Sequence, residues 1–252
     1  MKCLIGFTLL MLISISNAGK ISREWNEKMD LNDILKNLIE QFKELMPCGF
    51  PDLGVPPLVP FELNHTAFDF EQKGLLHLDA EINDLLVDNL NVFDVVNIDL
   101  KLLQIQLDFS FYFEAIQTTG TYKAKGSAIG FIPFNRGGKF AFNFNGLTLD
   151  GSIKVAIDGE KISVTDFKLN PTVESVNSKF EGVFILPLNT FIFNKIVEAV
   201  VPNFLTDNKE QVASFLEDMI KPQVNDLLDD YTLQDLIDFI GNAISPGQAR
   251  IC

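Results

Sequence analysis

The chain has 252 residues, 47% of them hydrophobic and 21% charged, enough for one large domain or two small ones with a sizeable core. Its formal charge of −14 argues against nucleic acid and anionic lipid surfaces, which would repel it at long range. With only two histidines, histidine-based acid–base or metal chemistry has little material.

The first residues, "MKCLIGFTLLMLISISNA", combine one positive charge at Lys2, an apolar run from Cys3 to Ile15, and small residues before Gly19. This pattern predicts a secretory signal peptide over residues 1–18, cleaved after Ala18. The run is short of the ~20 residues a spanning helix needs, so a secreted, soluble mature chain without stable membrane insertion is expected. Lys2 leaves with the leader, so 19 basic against 34 acidic residues give −15. Cys3 leaves too, and Cys48 and Cys252 remain in an oxidising compartment. If they pair, the bridge ties the last residue to the end of the first helix and stabilises by ~2–4 kcal/mol; free thiols and a covalent dimer are the alternatives.

From Asp30 to Met46, apolar residues including Leu31, Ile34, Leu38 and Phe42 recur at spacings of three and four, predicting an amphipathic helix N-capped by Asp30. Pro47 and "CGFPDLGVPPLVP" are expected to end it and form an ordered surface connection. Asn64-His65-Thr66 is a glycosylation sequon, usable at Asn64 if it lies on the surface.

Strands are expected from about Phe61 to Leu186. "LLHLDAEI" alternates, and "LLQIQLDFSFYFE" (Leu102–Glu114) places Leu103, Ile105, Leu107, Phe109, Phe111 and Phe113 on one dry face. Phe140, Phe142 and Phe144 share another such face before Gly146 shifts the frame, which suggests a bulge. "FNRGGKF" and the Asp158-Gly159 pair read as hairpins, so the sheet should be mostly antiparallel. Helical spacing returns with the stripe of Phe193, Ile196, Val197, Val200, Val201 and Phe204. A second stripe runs from Val212 to Leu228, where Pro222 should kink or divide the helix. Thr232 and Asp235 resemble a capping box opening a short last helix through Leu236, Ile237 and Ile240.

This order predicts an α+β fold, with residues 19–252 as one domain. "GSAIG" at 126–130 has its serine one place early for a nucleophile elbow and reads as a glycine-bearing strand. No phosphate-cradling glycine loop occurs, and the acidic residues are scattered. A non-enzyme without cofactor or metal is expected. The 23 Phe against 3 Tyr and 1 Trp describe a surface that recognises shape and apolarity.

The signal peptide, amphipathic helix, "PDLGVPPLVP", "TGTYKAKGSAIG" and "FLTDNKEQVASFLEDMIKPQVNDLL" together resemble the insect haemolymph juvenile hormone binding and takeout-like family. More broadly they resemble the tubular lipid-binding superfamily that includes mite group-seven allergens and bactericidal permeability-increasing proteins. The resemblance implies a long helix wrapped by a highly curved antiparallel sheet, further C-terminal helices, and an elongated apolar cavity for a small lipid or terpenoid. The chain departs from the family in its cysteines, because takeout-like proteins carry a close pair near the mature N-terminus. Candidate wall residues are the six of the dry strand, Phe140, Phe142 and Phe144, with Leu38 and Phe42 from the first helix. The expected function is a secreted, monomeric carrier of a small lipophilic ligand. The alternatives are an innate-immune protein binding microbial lipid, for which Lys123 and Lys125 are a local basic pair, and a packed structural or signalling module without a cavity.

Overall fold

In the computed structural model the described residues are 31–49, 56–72, 76–128, 132–159, 161–183, 187–229, 232 and 235. The expected leader, Asp30, Cys252 and the last-helix residues Leu236, Ile237 and Ile240 lie outside them. Helix α1 (Leu31–Leu45) precedes six strands: β1 (Phe61–Gln72), β2 (Leu76–Asp88), β3 (Asp94–Lys101), β4 (Gln106–Ala128), β5 (Ile132–Asp158) and β6 (Lys161–Phe180). Helices α2 (Pro187–Asp207) and α3 (Lys209–Leu228) follow. The sheet runs β1-β2-β4-β5-β6, with β3 also on β4, and every pairing is antiparallel. It is open, since β1 and β6 stand at opposite ends of that order. The α+β class holds.

The local chemistry explains where expectation and structure agree. The apolar stripe of α1 buries Leu35, Leu38, Ile39 and Phe42. After it the N–H groups of Cys48 and Gly49 donate to the Leu45 carbonyl, and the Leu58 N–H returns to the Met46 carbonyl at 2.8 Å. Leu58 is thereby buried and the Pro-rich connection is held against the helix end over its described part. Asp158 pairs with Lys161 across a tight turn at Gly159, as its Asp-Gly signal predicts. The Thr232 N–H donates to the Asp235 carboxylate at 2.8 Å and the Asp235 N–H donates to Thr232 Oγ1 at 3.2 Å, completing the capping box.

Three expectations need correction. "FNRGGKF" is no hairpin: Asn135 to Gly138 lie inside β5, paired with Lys125 to Tyr122. A Cβ at Gly138 would collide with the Glu181 carbonyl, so the glycine admits a close backbone approach instead of a turn. The dry strand begins at Gln106; Leu102–Gln104 form a 3-10 turn and Ile105 is left-handed with φ 47°. The turn joins Lys101 to its partner Gln106, and it lacks the Gly, Asn or Asp that mark such loops. Gly146 marks a kink without an inserted residue, because the β4–β5 register is the same on both sides of it. Its φ of +62° suits glycine, and a Cβ there would collide with the Glu174 side chain. Apolar positions change parity in this row on three strands, from Phe113 to Ile116, Leu147 to Phe144 and Val173 to Val176. Of the two outcomes expected at Pro222, division does not occur, since α3 runs through it as one helix.

The two C-terminal helices line the outer edge of β6. At ~3.3 Å per residue the 20 residues of β6 reach about 65 Å, and at ~1.5 Å per residue the 21 of α2 and 20 of α3 reach about 60 Å. Side chains clamp both ends. Asn225 of α3 accepts from the Val164 N–H at 2.7 Å and donates to its carbonyl at 3.1 Å. Asn194 of α2 does the same for Phe180, at 2.8 and 3.4 Å, and Glu198 accepts from the Ser178 N–H at 3.0 Å. These amides stand where another strand would pair.

Asn225→Ala removes both partners of Val164 and is expected to lower stability by about 1–3 kcal/mol, read from the urea midpoint. The Lys195 ammonium, at 2.6 Å, and the Ser178 N–H hold the Glu198 carboxyl below the usual carboxylate range. A depressed folded pKa contributes stability above the unfolded pKa and loses it as pH falls through the folded one. Glu198→Gln is therefore expected to flatten the stability profile below about pH 4.5, measured as urea midpoints from pH 7 to pH 3; parallel profiles would remove the clamp from acid unfolding.

Candidate ligand-binding site

Strand β4 brings Leu107, Phe109, Phe111 and Phe113 into the buried cluster, where Leu38 and Phe42 of α1 and Ile220, Val224 and Leu228 of α3 pack with them. Rings fill this end. Phe93 lies 5.2 Å from Phe111 and 5.1 Å from Phe113, and Phe109 stacks on Phe111 at 5.1 Å. The cross-strand neighbour of Phe109 is Gly151, where any Cβ would collide with the ring. These expected wall residues are thus packed core, and six of the eleven belong to it.

Two of the eleven leave the wall. Leu103 is 102% exposed on its 3-10 turn. Ile105, closing the turn, is half-buried against the core, its carbonyl accepting from the Val155 N–H at 3.0 Å. The alternation of "LLQIQ" continues the strand's pattern through a chain reversal, so periodicity misplaces both.

The remaining three rings lie beyond the Gly146 row. Phe140 is buried and pairs with Phe180, while Phe142 and Phe144 are half-buried and stack on each other at 5.5 Å. Phe180 joins them, 5.2 Å from Phe142 and 6.0 Å from Phe140, and meets Phe193 of α2 at 5.6 Å. Phe144 also packs against the main cluster, so one apolar band continues from α1 to α2. Tyr122 stands edge-on to Phe180 and its hydroxyl donates to the Glu181 carbonyl at 2.9 Å; burial raises its pKa. Sequence reading missed Phe93, Phe180 and Tyr122 as site members: Phe93 precedes its strand without periodicity, and the other two are placed by cross-strand register alone.

Helix α2 also exposes Phe191, Ile192, Ile196, Val200 and Phe204. A recess of about 350 Å³ is lined by Phe140 together with Thr119, Thr121, Lys139, Lys179 and Glu181. His65 and His77 are exposed, and among the described residues no group of three or more His, Cys, Asp or Glu could hold a metal ion. Nor is any described helix long and apolar enough to cross a membrane.

The two ends separate by mutation. Phe111→Ala, at a fully buried ring, is expected to cost about 3–5 kcal/mol in a urea melt, against clearly less for Phe142→Ala at its half-buried position.

Comparison with known proteins follows this geometry. A family model described as Haemolymph juvenile hormone binding protein matches residues 8–238. The crystal structure of Epiphyas postvittana Takeout 1 superposes with a TM-score of 0.60 at 14% identity, covering 81% of this chain and 94% of that one. A lipopolysaccharide binding protein aligns over 74% of this chain and 38% of its own at 17% identity, with a TM-score of only 0.30. No curated protein sequence matches.

Proposed function

Because the chain belongs to the haemolymph juvenile hormone binding protein family, we propose that it is a secreted, non-enzymatic, monomeric carrier of a small hydrophobic ligand, a lipid or a juvenile-hormone-like terpenoid. The observation that carries this reading is apolar surface left over after folding. Phe142, Phe144, Phe180 and Phe193 are half-buried, and Phe191, Ile192 and Ile196 are exposed on α2. Large apolar residues left in water on a strongly acidic chain support a binding role. The ligand lies against these rings, in the elongated apolar cavity that forms as the sheet curves around the helices. Phe offers no hydrogen bond, so selection is by shape and apolarity, at ~25 cal/mol per Å² buried before the costs of association.

The same reading takes residues 1–18 as a leader and 19–252 as one domain. We assign Cys48, which follows α1, and Cys252 as a disulfide pair. That bridge fastens the chain end to the helix that packs the buried cluster.

Native mass spectrometry of the secreted protein, then organic extraction, is expected to release a stoichiometric lipophilic species. Phe142→Ala and Phe180→Ala should each weaken a fluorescent fatty-acid probe by about tenfold, about 1.4 kcal/mol. An empty protein that takes up no probe would instead mark a packed structural module.

A further inference from the structure

The two edges of the sheet are treated differently. Along β6, Asn194, Glu198 and Asn225 occupy backbone groups that a further strand would use. Strand β1 is the other edge. It has 12 residues, against about five or six in a usual strand, and among the described strands it pairs only with β2. A long edge of unpaired N–H and C=O groups is a template for another chain.

One place on β1 differs from the rest. The pairing with β2 runs through Leu63↔Leu85 and His65↔Asn83 but skips Asn64, whose opposite residue Asp84 has φ 51°. Asn64 is exposed, and the following His65 is fixed through Nδ1 to Asn83 Oδ1 at 2.8 Å. Thr66 completes the sequon. The exposed acids Glu62 and Asp69 give some like-charge repulsion, but they leave the middle of the strand open.

We infer that Asn64 carries an N-linked glycan that shields the outer edge of β1 from pairing with a second chain, as the helix amides seal β6. The inference rests on the secretory reading above. In the modifying step the Asn64 Nδ2 bonds to the sugar C1 of a lipid-diphosphate-linked oligosaccharide. The C1–O bond to the diphosphate breaks, the lipid diphosphate leaves, and the amide gives up one proton. A flexible hydrated oligosaccharide at the strand's unpaired residue opposes the close, regular approach that a ladder requires.

The test is secretion of the full chain from a eukaryotic line, as wild type, Asn64→Gln and Thr66→Ser. Intact masses are taken before and after enzymatic glycan removal, and light scattering follows association over rising concentration. A heterogeneous mass increment is expected in wild type and Thr66→Ser and absent from Asn64→Gln. Asn64→Gln and the trimmed wild type should associate at concentrations at least about tenfold lower than the glycosylated protein. Secreted wild type at its bare sequence mass, or stripped protein as monomeric as the glycosylated form, would overturn the inference. A retained chain that still contains residues 1–18 would overturn the secretory reading as well, and the mass separates the two failures.

Discussion

The antiparallel register of β4 with β5 is the constraint on which everything else rests. It holds one offset from Gln106↔Lys154 to Ala128↔Ile132, and a slip of one residue would turn every dry side chain to the opposite face. Because the offset survives the Gly146 row, the change of parity there occurs together on β4, β5 and β6. The packed rings of Phe109, Phe111 and Phe113 and the half-buried rings of Phe142 and Phe144 thus belong to one ladder on either side of a kink. Glycine at position 146 makes this possible without an inserted residue.

Sheet length in turn dictates the helices. A strand of 20 residues with a bare edge needs cover along its whole length, and two helices of similar summed rise supply it. Polar side chains fix the ends of the rod, since Asn offers both a donor and an acceptor and can imitate a peptide unit. Apolar packing holds the α3 half, through Ile220, Val224 and Leu228. The α2 half keeps more large apolar residues in water, Phe191, Ile192, Ile196, Val200 and Phe204 against Phe215 of α3. That asymmetry places the packed core at the α1 end and the proposed binding surface at the other.

Much of this was legible in the sequence. The period of the apolar residues located α1, the long strands and both C-terminal helices, and the Asp158-Gly159 turn announced itself through residue types with a mechanism. The errors share a cause. Leu103 and Ile105 continue an alternating pattern through a loop without turn residues, while Gly137 and Gly138 look like a turn but admit a neighbouring backbone. Local pattern reports what a segment could do alone; pairing across strands decides what it does. For the same reason Phe180 and Tyr122 entered the site only through register, and six of the expected wall residues proved to be core, which uses the same side chains as a cavity wall.

This last point bears on how an apolar carrier is built. A ring such as Phe111, with no exposed surface and neighbours about 5 Å away, contributes its full burial to folding and has none left for a ligand. A ring such as Phe142 contributes part of its area to folding and holds the remainder in reserve. Binding then draws on the same hydrophobic term that folds the chain, and the folded state without ligand is less stable by the area left uncovered. The chain can tolerate that loss because its other end is filled with buried rings such as Phe93, Phe109, Phe111 and Phe113. In the proposed carrier, therefore, a filled end holds the fold together and the half-buried rings at the other end remain for the ligand.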